Sequence, residues 1–193
     1  MPTPKLWDDT HGTRCAGQIA AVRNNACGVG IAYDAKIAGN SFITSFFICI
    51  HLGYIGVRIL SGDLTDADEA LALNYKYQKN DIFSCSWGPP DNGETMEAPK
   101  GILADAFEKG IREGRGGKGS IYVFATGNGG TSGDNCNFDG YTNSIYTITV
   151  GAIDHTNAHP PYSEACSAQL VVTYSSGGGE YIVMYYFVCN IYI

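Results

Sequence analysis

None of the seven cysteines forms a Cys-x-x-Cys pair, which removes the usual spacing of a structural zinc site. No apolar run is long enough to cross a bilayer. The longest, Phe42–Ile50 and Val183–Ile193, fall well short of the roughly 20 residues a spanning helix needs. No basic-then-apolar leader opens the chain, because Met1-Pro2-Thr3-Pro4 runs almost at once into Asp8-Asp9-Thr10-His11. Positive charge is scarce: 12 Lys and Arg face 19 Asp and Glu, for a net charge of −7. That balance disfavours nucleic acid as a partner and suits cationic ligands, whether metal ions or basic peptides. Gly127–Gly133 is glycine-rich, but its spacing does not match a phosphate loop and no Gly-Lys-Ser/Thr follows, which argues against a nucleotide site.

What is present is a chain of 193 residues, 45% hydrophobic and 16% charged, enough for one domain with a sizeable core. Helices are predicted at about Thr10 to Val22, capped by Asp9 or Thr10, and from Asp63, where acidic residues crowd the first turn. A third is marked by the apolar spacing of Ile102, Leu103, Ala106, Phe107 and Ile111 and stops near Gly114-Arg115-Gly116-Gly117. Strands are predicted at the end of Gly28–Gly39, at Asp81–Gly88, at Ser120–Ala125 (fully buried) and at Tyr146–Ala152. Alternating strands and amphipathic helices give an α/β fold with a mostly parallel sheet, whose sites gather at the carboxyl ends of strands. Trp87-Gly88 and Gly127-Asn128 lie at such ends.

The organising stretch is Asp8-Asp9-Thr10-His11-Gly12-Thr13-Arg14-Cys15-Ala16-Gly17, an imidazole at a helix start with small residues behind it. It resembles the catalytic-histidine segment of subtilisin-like serine proteases, specifically the kexin/furin-like proprotein convertases. Asp134-Asn135-Cys136-Asn137-Phe138-Asp139-Gly140 and Tyr162-Ser163-Glu164-Ala165-Cys166-Ser167 carry the same resemblance. It implies a subtilisin-like three-layer fold and a calcium-dependent serine endopeptidase that cuts after paired Lys/Arg residues, acting as a monomer in the secretory pathway or Golgi membrane. His11 then matches the general base, which takes the nucleophile's proton and returns it to the leaving amine. Asn128 matches the oxyanion-hole donor; an Asn between glycines also reads as an ordinary left-handed turn.

The resemblance further implies a substrate groove. Trp87 and Gly88 would line its wall, Asp91 and Asp139 would face a primary arginine, Asp8 a second basic residue, and Glu69 and Glu97 positions further out. It implies calcium on Asp91, Asp134 and Glu164, a second calcium loop around Val22 and Asn25, and a Cys136–Cys166 disulfide, with Cys27 paired elsewhere and Cys15 a buried thiol.

The family's triad runs Asp, His, Ser. Met1–Trp7 offers no match to the aspartate segment, and no Gly-Thr-Ser-Ala segment follows Ile182. Residues 1–182 therefore read as the middle of a peptidase domain, inactive as it stands. The alternative is a noncatalytic, calcium-dependent module that binds basic peptides. Residues 40–56 are apolar without a helical or alternating period and interrupt the family pattern, as does the tail 183–193. A retained intron, a true loop insertion and a divergent tail remain open readings.

Overall fold

The computed structural model describes residues 11–25, 28–40, 46–50, 55–58 and 64–181. Asp8, Cys27, the predicted caps Asp9 and Thr10, much of 40–56 and the tail 183–193 lie outside the described residues. Two compact units emerge, one from residues within 11–84 and 102–120, the other from 85–101 and 121–181.

The first unit holds three helices. α1 (His11–Ala20) buries Gly12, Ala16 and Gly17, small side chains that allow close packing. Its last carbonyls are met by a returning loop: the N–H groups of Gly30, Ile31 and Ala32 donate to Ala21, Gln18 and Ile19. α2 (Asp66–Leu73) is capped by Thr65, whose Oγ1 accepts from the Asp68 N–H at 3.2 Å, with Asp66, Asp68 and Glu69 in its first turn. α3 (Ile102–Gly117) buries Leu103, Ala106 and Phe107 and packs against α2. Its regular turns end at Gly114, and Arg115 and Gly116 follow in the left-handed conformation.

Four strands complete this unit. β1 (Ile37–Asn40) runs parallel to β3 (Ile55–Arg58), with Ala38 opposite Ile55 and Asn40 opposite Val57. β2 (Phe46–Ile50) runs antiparallel to β1, β3 and β4 (Ile82–Cys85), placing Phe47 opposite Val57 and Cys49 opposite Phe83. A strand at Phe46–Ile50 is more order than the missing period of 40–56 suggested. The reason is that a short, unbroken run of aromatic and β-branched residues suits a strand paired along both edges, which leaves no alternation to see.

The second unit is built on a parallel sheet of β5 (Ile121–Ala125), β6 (Thr147–Ile153) and β7 (Val171–Tyr174). Val123 lies opposite Ile148, and Gly151 opposite Val172. One face is buried through Tyr122, Phe124, Thr147 and Thr149. Full burial of β5 was expected, but its exposure alternates, with Ile121 and Val123 half-buried on the other face. Cys136, in the loop before β6, and Cys166, in the loop after it, form a disulfide at a sequence separation of 30. Among the described residues, no helix is long and apolar enough to cross a membrane.

Candidate functional site

The site grows from the loop that leaves the carboxyl end of β5. Thr126 keeps the strand's pairing for one more residue, its N–H donating to Val150 at 3.1 Å. Gly127 then turns with φ +105°, and a Cβ there would lie 2.2 Å from the Glu164 carboxylate, so only glycine fits. This turn exposes Asn128 and buries Gly129. The side-chain amide of Asn128 has no hydrogen-bond partner among the described residues, which leaves it free to donate outward.

Carboxylates hold this loop through its backbone. The Asn128 N–H donates to Asp91 Oδ2 at 3.0 Å and the Gly129 N–H to Glu164 Oε1 at 3.0 Å. Asp134 reaches the other side, accepting from the Gly93 N–H at 3.0 Å. One oxygen from each of Asp91, Asp134 and Glu164 lies within 4.8 Å of the others. Among the described residues, no Lys or Arg forms an ion pair with any of them or with Asp139. The consequence is mutual repulsion. Burial first, and then the charges of Asp134, Asp91 and Asp139, push the Glu164 carboxyl up to about 7 against the lowering effect of the Gly129 N–H. A set of hard carboxylate oxygens in mutual repulsion, without a cationic side chain, is chemistry that fits calcium.

Asp139 sits beside this cluster, in a small, partly open hollow lined by Pro89, Pro90, Asp91, Asp134, Asp139 and Glu164 among others. Burial raises its carboxyl to about 6, opposed by the N–H groups of Tyr141 and Thr142. Gly88 makes room for it, since a Cβ at 88 would stand 2.9 Å from Asp139 Oδ2. Trp87 packs edge-on against Phe124 and Tyr141, with ring centroids 5.3 and 5.0 Å away, and so anchors the Trp87-Gly88 wall to the buried face of the sheet. Glu97 reaches the same neighbourhood through its backbone, bridging Asp139 and accepting the Gly140 N–H at 2.7 Å.

The structure thus brings together Trp87, Gly88, Asp91, Glu97, Asn128, Asp134, Asp139 and Glu164 in the second unit. His11 and Glu69 belong to the first. His11 opens α1; desolvation, then the charge of Arg14, hold its imidazole below the ordinary 6.5. Cys15, one turn on, places Sγ 3.9 Å from His11 Nε2, and it is half-buried where full burial was expected. Glu69 is only 6% exposed on α2. Val22 and Asn25 are exposed. Sequence reasoning missed that Asp91 and Glu164 clamp the Asn128 loop. The signal available was the glycine on each side of Asn128, which marks backbone that other groups approach closely.

The Subtilase family model matches residues 2–185. A dibasic-processing endoprotease of Yarrowia lipolytica is 60% identical over 94% of this chain and 17% of its own length. Kexin of Saccharomyces cerevisiae is 58% identical over 94% and 20%. Human proprotein convertase subtilisin/kexin type 7 is 49% identical over 92% and 21%. The chain therefore spans about a fifth of the length of these relatives. Among solved structures, the Aeromonas sobria serine protease in complex with its chaperone ORF2 aligns with a TM-score of 0.71 at 20% identity, over 91% of this chain and 30% of that one. The α/β fold with parallel strands agrees with these matches, and the chain belongs to the Subtilase family, where its relatives are kexins and proprotein convertases.

Proposed function

We propose that this chain is the central part of a serine endopeptidase domain that cleaves after paired basic residues in the secretory pathway. Its 193 residues hold the general base and the oxyanion donor without the nucleophile. The observation that supports this most is the acidic hollow beside Asn128. Asp139, half-buried and backed by the exposed Asp91, offers carboxylate charge where a guanidinium could enter, and a bidentate pair is the strong form of that contact. His11 is the base; held below its ordinary pKa, it stays neutral and able to accept a proton at neutral pH. The Asn128 amide donates to the oxygen that gains charge as the carbonyl becomes tetrahedral. Asp91, Asp134 and Glu164 would hold calcium, whose charge would neutralise the cluster and keep the loop in place. Residues 40–56 and 183–193 stand outside the peptidase pattern.

As it stands, the chain binds and does not cut, as a monomer. Titrating it with a Lys-Arg peptide in calorimetry should give calcium-dependent binding without hydrolysis, and Asp139→Asn should weaken that binding by about tenfold or more. Equal binding of a peptide with both basic residues replaced by Gly would overturn the groove assignment. A noncatalytic module for basic peptides predicts the same titration. The two part in a chimera: residues 64–181 placed in the matching stretch of the Yarrowia relative should preserve cleavage if the segment belongs to a working protease, and abolish it if the segment is a binding module.

A further inference from the structure

The sequence contains two Asn-Gly dipeptides, Asn92-Gly93 and Asn128-Gly129. This pair is the one most prone to spontaneous deamidation, because a following glycine has no Cβ to keep its backbone nitrogen from the asparagine side chain. In both places the structure ties that nitrogen to a carboxylate: Gly93 N–H to Asp134 Oδ2 at 3.0 Å, and Gly129 N–H to Glu164 Oε1 at 3.0 Å.

The two asparagines differ in what else restrains them. The Asn92 side chain is engaged at both ends: its Oδ1 accepts from the N–H groups of Glu94 and Thr95, and its Nδ2 donates to Thr95 Oγ1. The Asn128 side chain is exposed to water and has no partner among the described residues. Its restraint lies in the backbone alone, in the Asn128 N–H on Asp91 and the Gly129 N–H on Glu164.

We propose that Asn128-Gly129 is a deamidation site kept latent by Glu164. When the Gly129 N–H leaves the Glu164 carboxylate, the Gly129 nitrogen attacks Asn128 Cγ. A Cγ–N bond forms, the Cγ–Nδ2 bond breaks, and ammonia leaves with the proton from the Gly129 nitrogen. Water then opens the succinimide at either carbonyl, giving aspartate or isoaspartate. Either product replaces a neutral hydrogen-bond donor with a carboxylate. On the reading of Asn128 as the oxyanion donor, that puts negative charge where negative charge has to be stabilised. The chemistry itself does not depend on that reading, and neither does its test.

The purified chain is incubated at constant neutral pH in calcium-free buffer, folded or unfolded in urea, and mapped by peptide mass spectrometry with an isoaspartate-specific methyltransferase assay. In urea both asparagines convert. In the folded chain Asn128 should convert about tenfold more slowly than in urea, the factor one net hydrogen bond supplies. Glu164→Ala should bring folded-state conversion of Asn128 towards the urea rate and leave Asn92 protected. Glu164→Gln, which keeps an acceptor at the same place without the charge, should stay protected. If Glu164→Ala does not fold, the folded-against-urea comparison in the parent and in Glu164→Gln decides. Conversion of Asn128 in the folded parent at the urea rate or faster would overturn the proposal, the faster case making Glu164 a base that promotes the reaction. Loss of peptide binding with an unmodified Asn128 would count against the groove assignment and leave this one standing.

Discussion

The imidazole of His11 shows how a neighbour tunes one residue. It opens α1, where desolvation and the charge of Arg14, one turn along the same helix, both disfavour its protonated form. Removing the charge leaves the larger cause in place. Arg14→Gln should therefore raise the His11 pKa part of the way towards 6.5, which an NMR titration of the ring protons would follow. A pKa that stays put or falls further would show that Arg14 does not act on the ring. The His motif was legible in the sequence because a histidine between acidic and small residues at a helix start is an unusual local arrangement. The half-burial of Cys15 beside it was not, since exposure depends on what packs over the helix from elsewhere in the chain.

Elements were legible where the chain carries its own punctuation. The acidic run Asp66-Ala67-Asp68-Glu69 is such a mark, although the helix was expected from Asp63 and opens at Asp66, where the Thr65 hydroxyl caps it by accepting from the Asp68 N–H. Thr65→Ala should cost about 0.5–2 kcal/mol in urea unfolding, and Thr65→Ser should recover most of it; an unchanged midpoint for both would mean the cap carries no stability. The break in α3 was equally visible in Gly114-Arg115-Gly116-Gly117. What glycine content could not say is that Arg115 itself takes a left-handed conformation. It is held there by its N–H on the Tyr77 carbonyl at 3.0 Å and its guanidinium on Asp81 at 3.1 Å, contacts more than 30 residues distant in the chain. β2 and β7 escaped for the opposite reason. Both are runs of only four or five β-prone residues, too short for a period to show, and pairing with neighbouring strands fixes them as strands.

For the whole molecule the decisive term is charge. A net charge of −7 is read directly from composition, but composition does not say that Asp91, Asp134, Asp139 and Glu164 converge in one place. They come from three separate loops, so no spacing in the sequence reveals the repulsion between them. It has a pH signature. Glu164 holds its proton up to about 7 in the folded chain against an ordinary 4.5, and Asp139 up to about 6 against 3.8. For both groups the folded state binds the proton more tightly than the unfolded one. Their contribution to stability is thus complete below the ordinary values and is lost as pH rises through the folded ones. The chelated chain should lose stability between about pH 4 and pH 7 in thermal or urea unfolding, over a window in which ordinary carboxylate pairing would raise it. If the cluster holds calcium as proposed, the ion would bind its ionised form, so its effect should run the other way. It should be small at pH 5, where protons compete, and grow to about 2.7 kcal/mol near pH 7.5 once the ion is a hundredfold above its dissociation constant. Asp134→Asn removes a ligand and one of the repelling charges together. It should flatten the pH dependence of the chelated chain and shrink the calcium increment in the same protein. A chelated chain whose stability climbed from pH 5 to pH 7, with calcium adding nothing, would mean that the four carboxylates are solvated separately and hold no ion.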